Sequence, residues 1–238
     1  MEIRQIKCKS LLNRTALPAD YAVNPYLGCS HACVYCYARY MVKFASKPGS
    51  WGEFVEVKEN AAPVLIRELR RRKKGRVFFS SVTDAYQPVE EKTKLTRRLL
   101  ELLSELRFPV TVQTKSTLVL RDADILKKAG AEVGFSITTL DDEAGAIFEP
   151  GASLPSERVK ALEELKRSGI KTFCMTAPVL PGITDVPAIR ERLSGIADYF
   201  IEDALNIKCG NWPGIEKTVK RHYPALLPGF GERKKRAL

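Results

Sequence analysis

From about residue 20 onward, short apolar runs and helix-period stripes take turns along the chain, and this alternation constrains the fold more than any other feature. Strands are expected at 22–27, 76–81, 109–115, 132–139, 171–178 and 197–201. Helices are expected between them at 34–44, 60–72, 92–106, 122–128, 156–168 and 186–193. The stripe is clearest in 92–106, where Leu95, Leu99, Leu102, Leu103 and Leu106 share a face. Asn60 fits an N-cap with Pro63 in the first turn, and Gly75, Gly130 and Gly169 act as helix stops. Strand–helix alternation builds a parallel sheet with crossover helices. About six units are present, fewer than the eight of a closed barrel. The expected class is therefore α/β: an open (β/α)6 arc, a partial TIM barrel, with short N- and C-terminal extensions. Residues 54–58 read as an accessory strand. The expected organisation is an N-terminal extension over 1–20, the barrel domain over 21–205, and a C-terminal helix (214–221) with a basic tail over 206–238. Residues 224–238, with two prolines and two glycines, are expected to hold little fixed structure. No internal repeat or clean linker interrupts the pattern.

With 238 residues, 45% of them apolar, the chain can bury a sizeable single core. No apolar run approaches the roughly 18 residues of a membrane span, and the N-terminus has no signal-peptide apolar stretch. No membrane partner is expected. Six cysteines are too few for a disulfide scaffold and suit a reducing cytosol, so a cytoplasmic location is expected. The net charge of +11 favours polyanionic partners. Part of it lies in runs at 70–74 with Arg76, at Arg97–Arg98 and at 233–236. Each run also has a plain reading, as cations closing a helix or as a solvated tail.

Three of the cysteines are concentrated in one loop. Cys29, Cys33 and Cys36 have the spacing C-x3-C-x2-C, with Tyr35 before the last. Three thiolates can hold three irons of a 4Fe–4S cluster, whereas electron-transfer clusters take four cysteines. The fourth iron is then open to a ligand. A zinc site is the alternative; it needs a fourth ligand from His31, Cys8, Cys174, Cys209 or His222, and no second C-x2-C pair completes it.

In parallel βα folds the functional groups gather at the carboxyl ends of the strands. Those ends carry the cysteine loop, Ser80-Ser81-Val82-Thr83-Asp84, Thr114-Lys115-Ser116, Ser136 with Thr138 and Thr139, and 177–182. Hydroxyls there can bond a ribose, and a lysine can meet a carboxylate.

The cysteine motif resembles the signature of the radical S-adenosylmethionine (SAM) superfamily. The resemblance implies a 4Fe–4S cluster on Cys29, Cys33 and Cys36 whose open iron chelates SAM. Reduction then yields methionine and a 5′-deoxyadenosyl radical. The Asn24-Pro25-Tyr26 segment, 83–88, 114–116, Glu149-Pro150 with Arg158, and 177–182 resemble more closely the spore photoproduct lyase (DNA repair photolyase) family, over roughly residues 20 to 200. That likeness implies SAM contacts from Tyr35, Thr83, Lys115 and Ser136. It implies a hydrogen-atom relay through Tyr35 and Tyr37, whose alternative role is packing. Arg158 is a candidate for the SAM carboxylate, though its place at a helix start suits a solvated charge. Nucleic acid, DNA or RNA, is the expected substrate, and a reductase, ferredoxin or flavodoxin the expected electron donor. The rival readings are a radical SAM modifier of a protein or small metabolite, and a non-catalytic metal-bearing nucleic-acid-binding protein. The chain departs from the lyase at Ser81, which stands where the lyase has a hydrogen-donor cysteine. Cys174 replaces it only if it faces the pocket. Little chain follows the sixth strand to supply the lyase's lesion-gripping element. The oligomeric state is left open.

Overall fold

The computed structural model describes residues 1–237. The strands are β1 (Glu2–Ile6), β2 (Leu12–Arg14), β3 (Tyr21–Val23), β4 (Tyr26–Leu27), β5 (Phe54–Lys58), β6 (Val77–Phe79), β7 (Val110–Thr114), β8 (Glu132–Ser136), β9 (Lys171–Val179) and β10 (Tyr199–Ala204). The helices are α1 (Ala61–Leu69), α2 (Val89–Thr93), α3 (Leu95–Glu105), α4 (Ala123–Lys128), α5 (Asp142–Phe148), α6 (Pro155–Arg167), α7 (Val186–Arg192), α8 (Trp212–His222) and α9 (Leu227–Ala237).

The main sheet runs β10-β9-β8-β7-β6-β3-β2. From β3 to β10 every neighbouring pair is parallel, and β2 closes one edge antiparallel to β3. These six parallel strands form an open arc, as the alternation implied. A second sheet, β1-β5-β4, lies beside it, so 54–58 is indeed accessory. The main core sits between the arc and its helices, where Leu99, Leu103, Val112, Val133 and Leu162 are fully buried. Inside the arc, Gly134 leaves space for the Phe173 ring; a Cβ there would lie 2.2 Å from it.

Several sequence expectations change. The helix expected over 34–44 is a 3-10 segment, Tyr37–Phe44, because the cysteine loop holds the chain through Cys36. The helix expected over 92–106 begins earlier and breaks at Lys94, whose φ is +48°. Helix α5 was not legible as a stripe; Asp141 starts it by accepting from the Glu143 and Ala144 amides. Asn60 does not cap α1 with its side chain. Its amide instead pairs with both backbone groups of Cys8, at 2.8 and 2.9 Å. The N-terminal stretch contributes two strands. The tail forms α9, because Phe230 buries itself beside Ile215 and Val219 of α8. The side chains of the basic run 233–236 lie outside the described residues. No described helix is long and apolar enough to cross a membrane.

Candidate active site

The cysteine loop leaves β4 through Gly28, whose φ is +84° and whose Cβ would stand 2.5 Å from the Phe54 carbonyl. Only glycine suits that turn. Two segments then grip the loop. After β6, Thr83 Oγ1 donates to the Gly28 carbonyl at 2.6 Å, and buried Gln87 accepts from the Ser30 amide at 2.9 Å. After α5, the Phe148 carbonyl accepts from the Val34 amide, and the Gly151 amide donates to the His31 carbonyl. A Cβ on Gly151 would lie 2.2 Å from the Ser30 carbonyl oxygen.

So held, Cys29, Cys33 and Cys36 are free thiols on the wall of one cavity of about 400 Å³ at the carboxyl ends of the strands. Burial pushes all three thiols above their ordinary value, so each keeps its proton until a metal takes its sulfur and displaces it. Among the described residues, no three His, Cys, Asp or Glu side chains converge on a single ion. A zinc ion needs ligand atoms within about 2.3 Å of one point. Three thiols around a shared cavity suit a larger inorganic cluster, and the donor set fits a three-cysteine iron–sulfur site.

The strand-end residues named from sequence share this cavity. Thr83, Lys115 and Ser136 line it, as do Tyr35 and Tyr37. Ser136 Oγ accepts from Gln113 at 2.8 Å, which leaves its proton to donate into the cavity. The Thr83 proton is committed to Gly28, so this hydroxyl can only accept. Lys115 Nζ lies 3.6 Å from Glu149 and 5.8 Å from the centre of the Tyr35 ring. The Tyr35 hydroxyl donates to Glu149. Burial, and then the Glu149 charge, hold that phenol far above its ordinary value, so it is neutral. Tyr37 is 45% exposed, and its hydroxyl donates to the Ser81 carbonyl.

Arg158 differs from its expected place. It is neither solvated nor on the cavity wall. Fully buried, it gives one nitrogen to Glu149 and another to the Ser136 carbonyl at 2.5 Å. Its guanidinium is committed to protein groups and reaches the cavity only through them. Burial alone would raise Glu149, but Arg158 and Lys115 outweigh it and hold this carboxyl at about 2.

Sequence reasoning did not single out Asp84 or Glu149, although both lie in the motifs it used. Asp84 accepts from Thr114 Oγ1 at 2.7 Å and from the Lys115 amide at 2.8 Å, tying β6 to β7 at the cavity floor. Gln113, Asp203 and Asn206 also line the cavity. So do Ser80 and Trp51, each nine-tenths buried and each with a polar hydrogen that finds no protein partner. No local sequence signal marked Trp51. Cys174 faces away from the cavity, since its neighbours Met175 and Ala177 on β9 line it.

Comparison with known proteins agrees with this architecture. The family model for the radical SAM superfamily matches residues 23–191. An uncharacterized protein of Methanocaldococcus jannaschii is 37% identical over 226 residues, covering 94% of this chain and 85% of the relative. A radical SAM Nalpha-GlyT isomerase of Pseudomonas phage M6 is 27% identical, over 87% of this chain and 44% of its own. Among solved structures, spore photoproduct lyase complexed with dinucleoside spore photoproduct superposes with a TM-score of 0.70 at 19% identity, over 93% of this chain. This chain spans 66% of the length of that lyase. The chain belongs to the radical SAM superfamily, whose enzymes use a 4Fe–4S cluster and SAM. Its fold is the one seen in spore photoproduct lyase, a variant of which has been solved with bound AdoMet.

Proposed function

We propose that this chain is a radical SAM enzyme acting on nucleic acid, with Cys29, Cys33 and Cys36 as the cluster ligands. When bound and reduced, the cluster supplies cleavage of SAM to a 5′-deoxyadenosyl radical able to take a hydrogen atom from an unactivated carbon. The observation that carries the reading is that the three thiols and the strand-end groups Thr83, Lys115 and Ser136 line one cavity. In this reading Ser136 donates to SAM, Thr83 accepts from a hydroxyl or amine, and Lys115 meets the SAM carboxylate as a point charge. Tyr35, tied to Glu149, orients that lysine. Tyr37, half exposed on the cavity wall, is the better placed of the two tyrosines to meet substrate. Arg158 is a positioning residue that holds Glu149 and the end of β8.

Nucleic acid is favoured by the +11 charge and by the dinucleoside in the lyase complex. Ser81 Oγ accepts from Asn24 at 3.1 Å and lines the cavity, but an O–H bond is too strong to replace a thiol donor. Among the described residues, the only cysteines on the cavity wall are the three of the loop. With no further thiol on that wall, 5′-deoxyadenosine, directly or through the phenols of Tyr35 and Tyr37, is the source that returns a hydrogen taken from substrate in this reading. That favours an isomerisation or a lyase reaction that regenerates SAM.

The test is anaerobic. The reconstituted, reduced enzyme is given SAM, with and without DNA or RNA carrying modified or photodamaged thymine, and 5′-deoxyadenosine and methionine are quantified. Turnover of one nucleic-acid substrate with far less than one 5′-deoxyadenosine per event supports the reading. Cleavage indifferent to every nucleic acid, in a chain that binds none in a salt-dependent way, removes the nucleic-acid part.

A further inference from the structure

Trp51 is nine-tenths buried, yet its indole N–H has no partner in the protein. A buried donor left unbonded costs about 1–3 kcal/mol, so such a group calls for an explanation. Its surroundings narrow the choice. Trp51 packs in one small group with Cys29 and Ala38, against which Cys36 also lies. It lines the same cavity as all three loop cysteines. The segment carrying it is pressed onto the cysteine loop: Gly52 has a φ of +91°, and a Cβ there would stand 2.6 Å from the Ala32 Cβ. Trp51 is thus held in one packed group with two of the three cysteines by a turn that admits no larger residue beside it. Within this small group, Cys29, Cys36, Met41, Ala38, Val42 and Val82, the only side-chain acceptors are sulfurs.

We propose that the Trp51 indole N–H donates a hydrogen bond to a sulfur of the iron–sulfur cluster, either a bridging sulfide or the Cys29 or Cys36 thiolate, and so raises the potential at which the cluster accepts its electron. The inference rests on the assignment of the loop cysteines as cluster ligands. Physically, an added electron increases the negative charge on the sulfurs, and a donor aimed at them stabilises the reduced state most. Indole is well suited, being a donor with no acceptor to compete. Trp51 is then a tuning residue that never touches substrate. The flanking Val82, Met41 and Val42 keep water from replacing it.

The experiment compares wild type with Trp51→Phe, which keeps an aromatic ring and removes the N–H. Both are reconstituted anaerobically, their iron and sulfide counted, and the cluster potential measured by EPR-monitored titration without SAM. Proton ENDOR in H2O and D2O then looks for an exchangeable proton coupled to the reduced cluster. The expected result is full iron in both, a more negative midpoint in the variant, and loss of one coupled exchangeable proton. Full iron with an unchanged midpoint and unchanged coupling overturns the inference while leaving the cluster intact. A wild-type chain that holds no iron overturns the cluster assignment itself. Should Trp51→Phe fail to hold iron, benzothienylalanine at position 51 replaces only the N–H by sulfur. A negative shift or cluster loss on that change supports the contact, and an unchanged midpoint refutes it.

Discussion

Two buried glutamates, Glu90 and Glu149, are held by similar partners but end in different places. Glu90 is fully buried, accepts from Arg121 at 2.6 Å and from the Tyr26 hydroxyl, and also receives the Thr96 amide at 2.8 Å. Arg121 continues to buried Asp122, which Arg97 also reaches at 3.1 Å. Glu149 likewise takes an arginine and a tyrosine, Arg158 and Tyr35, and a hydroxyl from Thr138 at 3.1 Å. The Glu90 group runs outward through the helices toward the surface. The Glu149 group runs inward to Lys115 and Tyr35 on the cavity wall. The first joins β4, α2, α3 and α4. The second also holds the Lys115 ammonium on the cavity wall. The same chemistry thus serves stability in one place and stability plus site geometry in the other.

The largest effect expected touches the site alone. Replacing Cys29, Cys33 or Cys36 by Ala removes the four-iron signal and takes SAM cleavage below detection. A variant with wild-type iron and cleavage would end the assignment.

The next pair addresses the comparison directly. Glu149→Gln leaves buried Arg158 under-neutralised and is expected to cost about 3–5 kcal/mol in denaturant unfolding. Glu90→Gln leaves the partly exposed Arg121 still paired with Asp122 and is expected to cost less. Only Glu149→Gln is expected to weaken SAM binding as well, in equilibrium dialysis with the reconstituted protein. Equal loss of SAM affinity in both would erase the distinction. The acid limb sharpens it. Glu149 is held at about 2 against an ordinary 4.5, so it binds its proton less readily folded than unfolded. Its contribution, about 3 kcal/mol, is complete above pH 4.5 and is lost as pH falls toward 2. Glu149→Gln removes that part of the acid unfolding curve.

A smaller effect is expected of Ser136→Ala, which takes one donor from the cavity and orphans the Gln113 amide. Binding of SAM should weaken about 3- to 10-fold, the worth of one hydrogen bond, with little change in the unfolding midpoint. Unaltered affinity would show that Ser136 does not touch SAM. The smallest belongs to Cys174→Ala. It trims a core side chain for about 1 kcal/mol and should leave SAM cleavage and substrate turnover unchanged. Loss of substrate turnover with SAM cleavage intact would reinstate Cys174 as a hydrogen donor.

What the sequence determined by itself was local and periodic. The βα alternation implied six parallel strands, because a stripe of period 3.6 or a short apolar run is a property of neighbours along the chain. The cysteine spacing marked the cluster loop for the same reason, since Cys29, Cys33 and Cys36 fall within eight positions. The rule that sites gather at carboxyl strand ends marked the segments around Thr83, Lys115 and Ser136, the family likeness picked out those three, and all three line the cavity. Only the tertiary structure decided Arg158. Its place at the start of a helix looked solvated, but α6 packs its first turn under Glu149, 9 residues back in the chain and beside Tyr35 in space. It also decided which face of β9 Cys174 occupies, a choice that one residue of register reverses. The tail helix α9 formed because Phe230 found an apolar surface on α8 that no local pattern announces. Trp51 is the extreme case: its turn meets the cysteine loop through an accessory segment. A contact made across the fold leaves no mark in the order of the residues that make it.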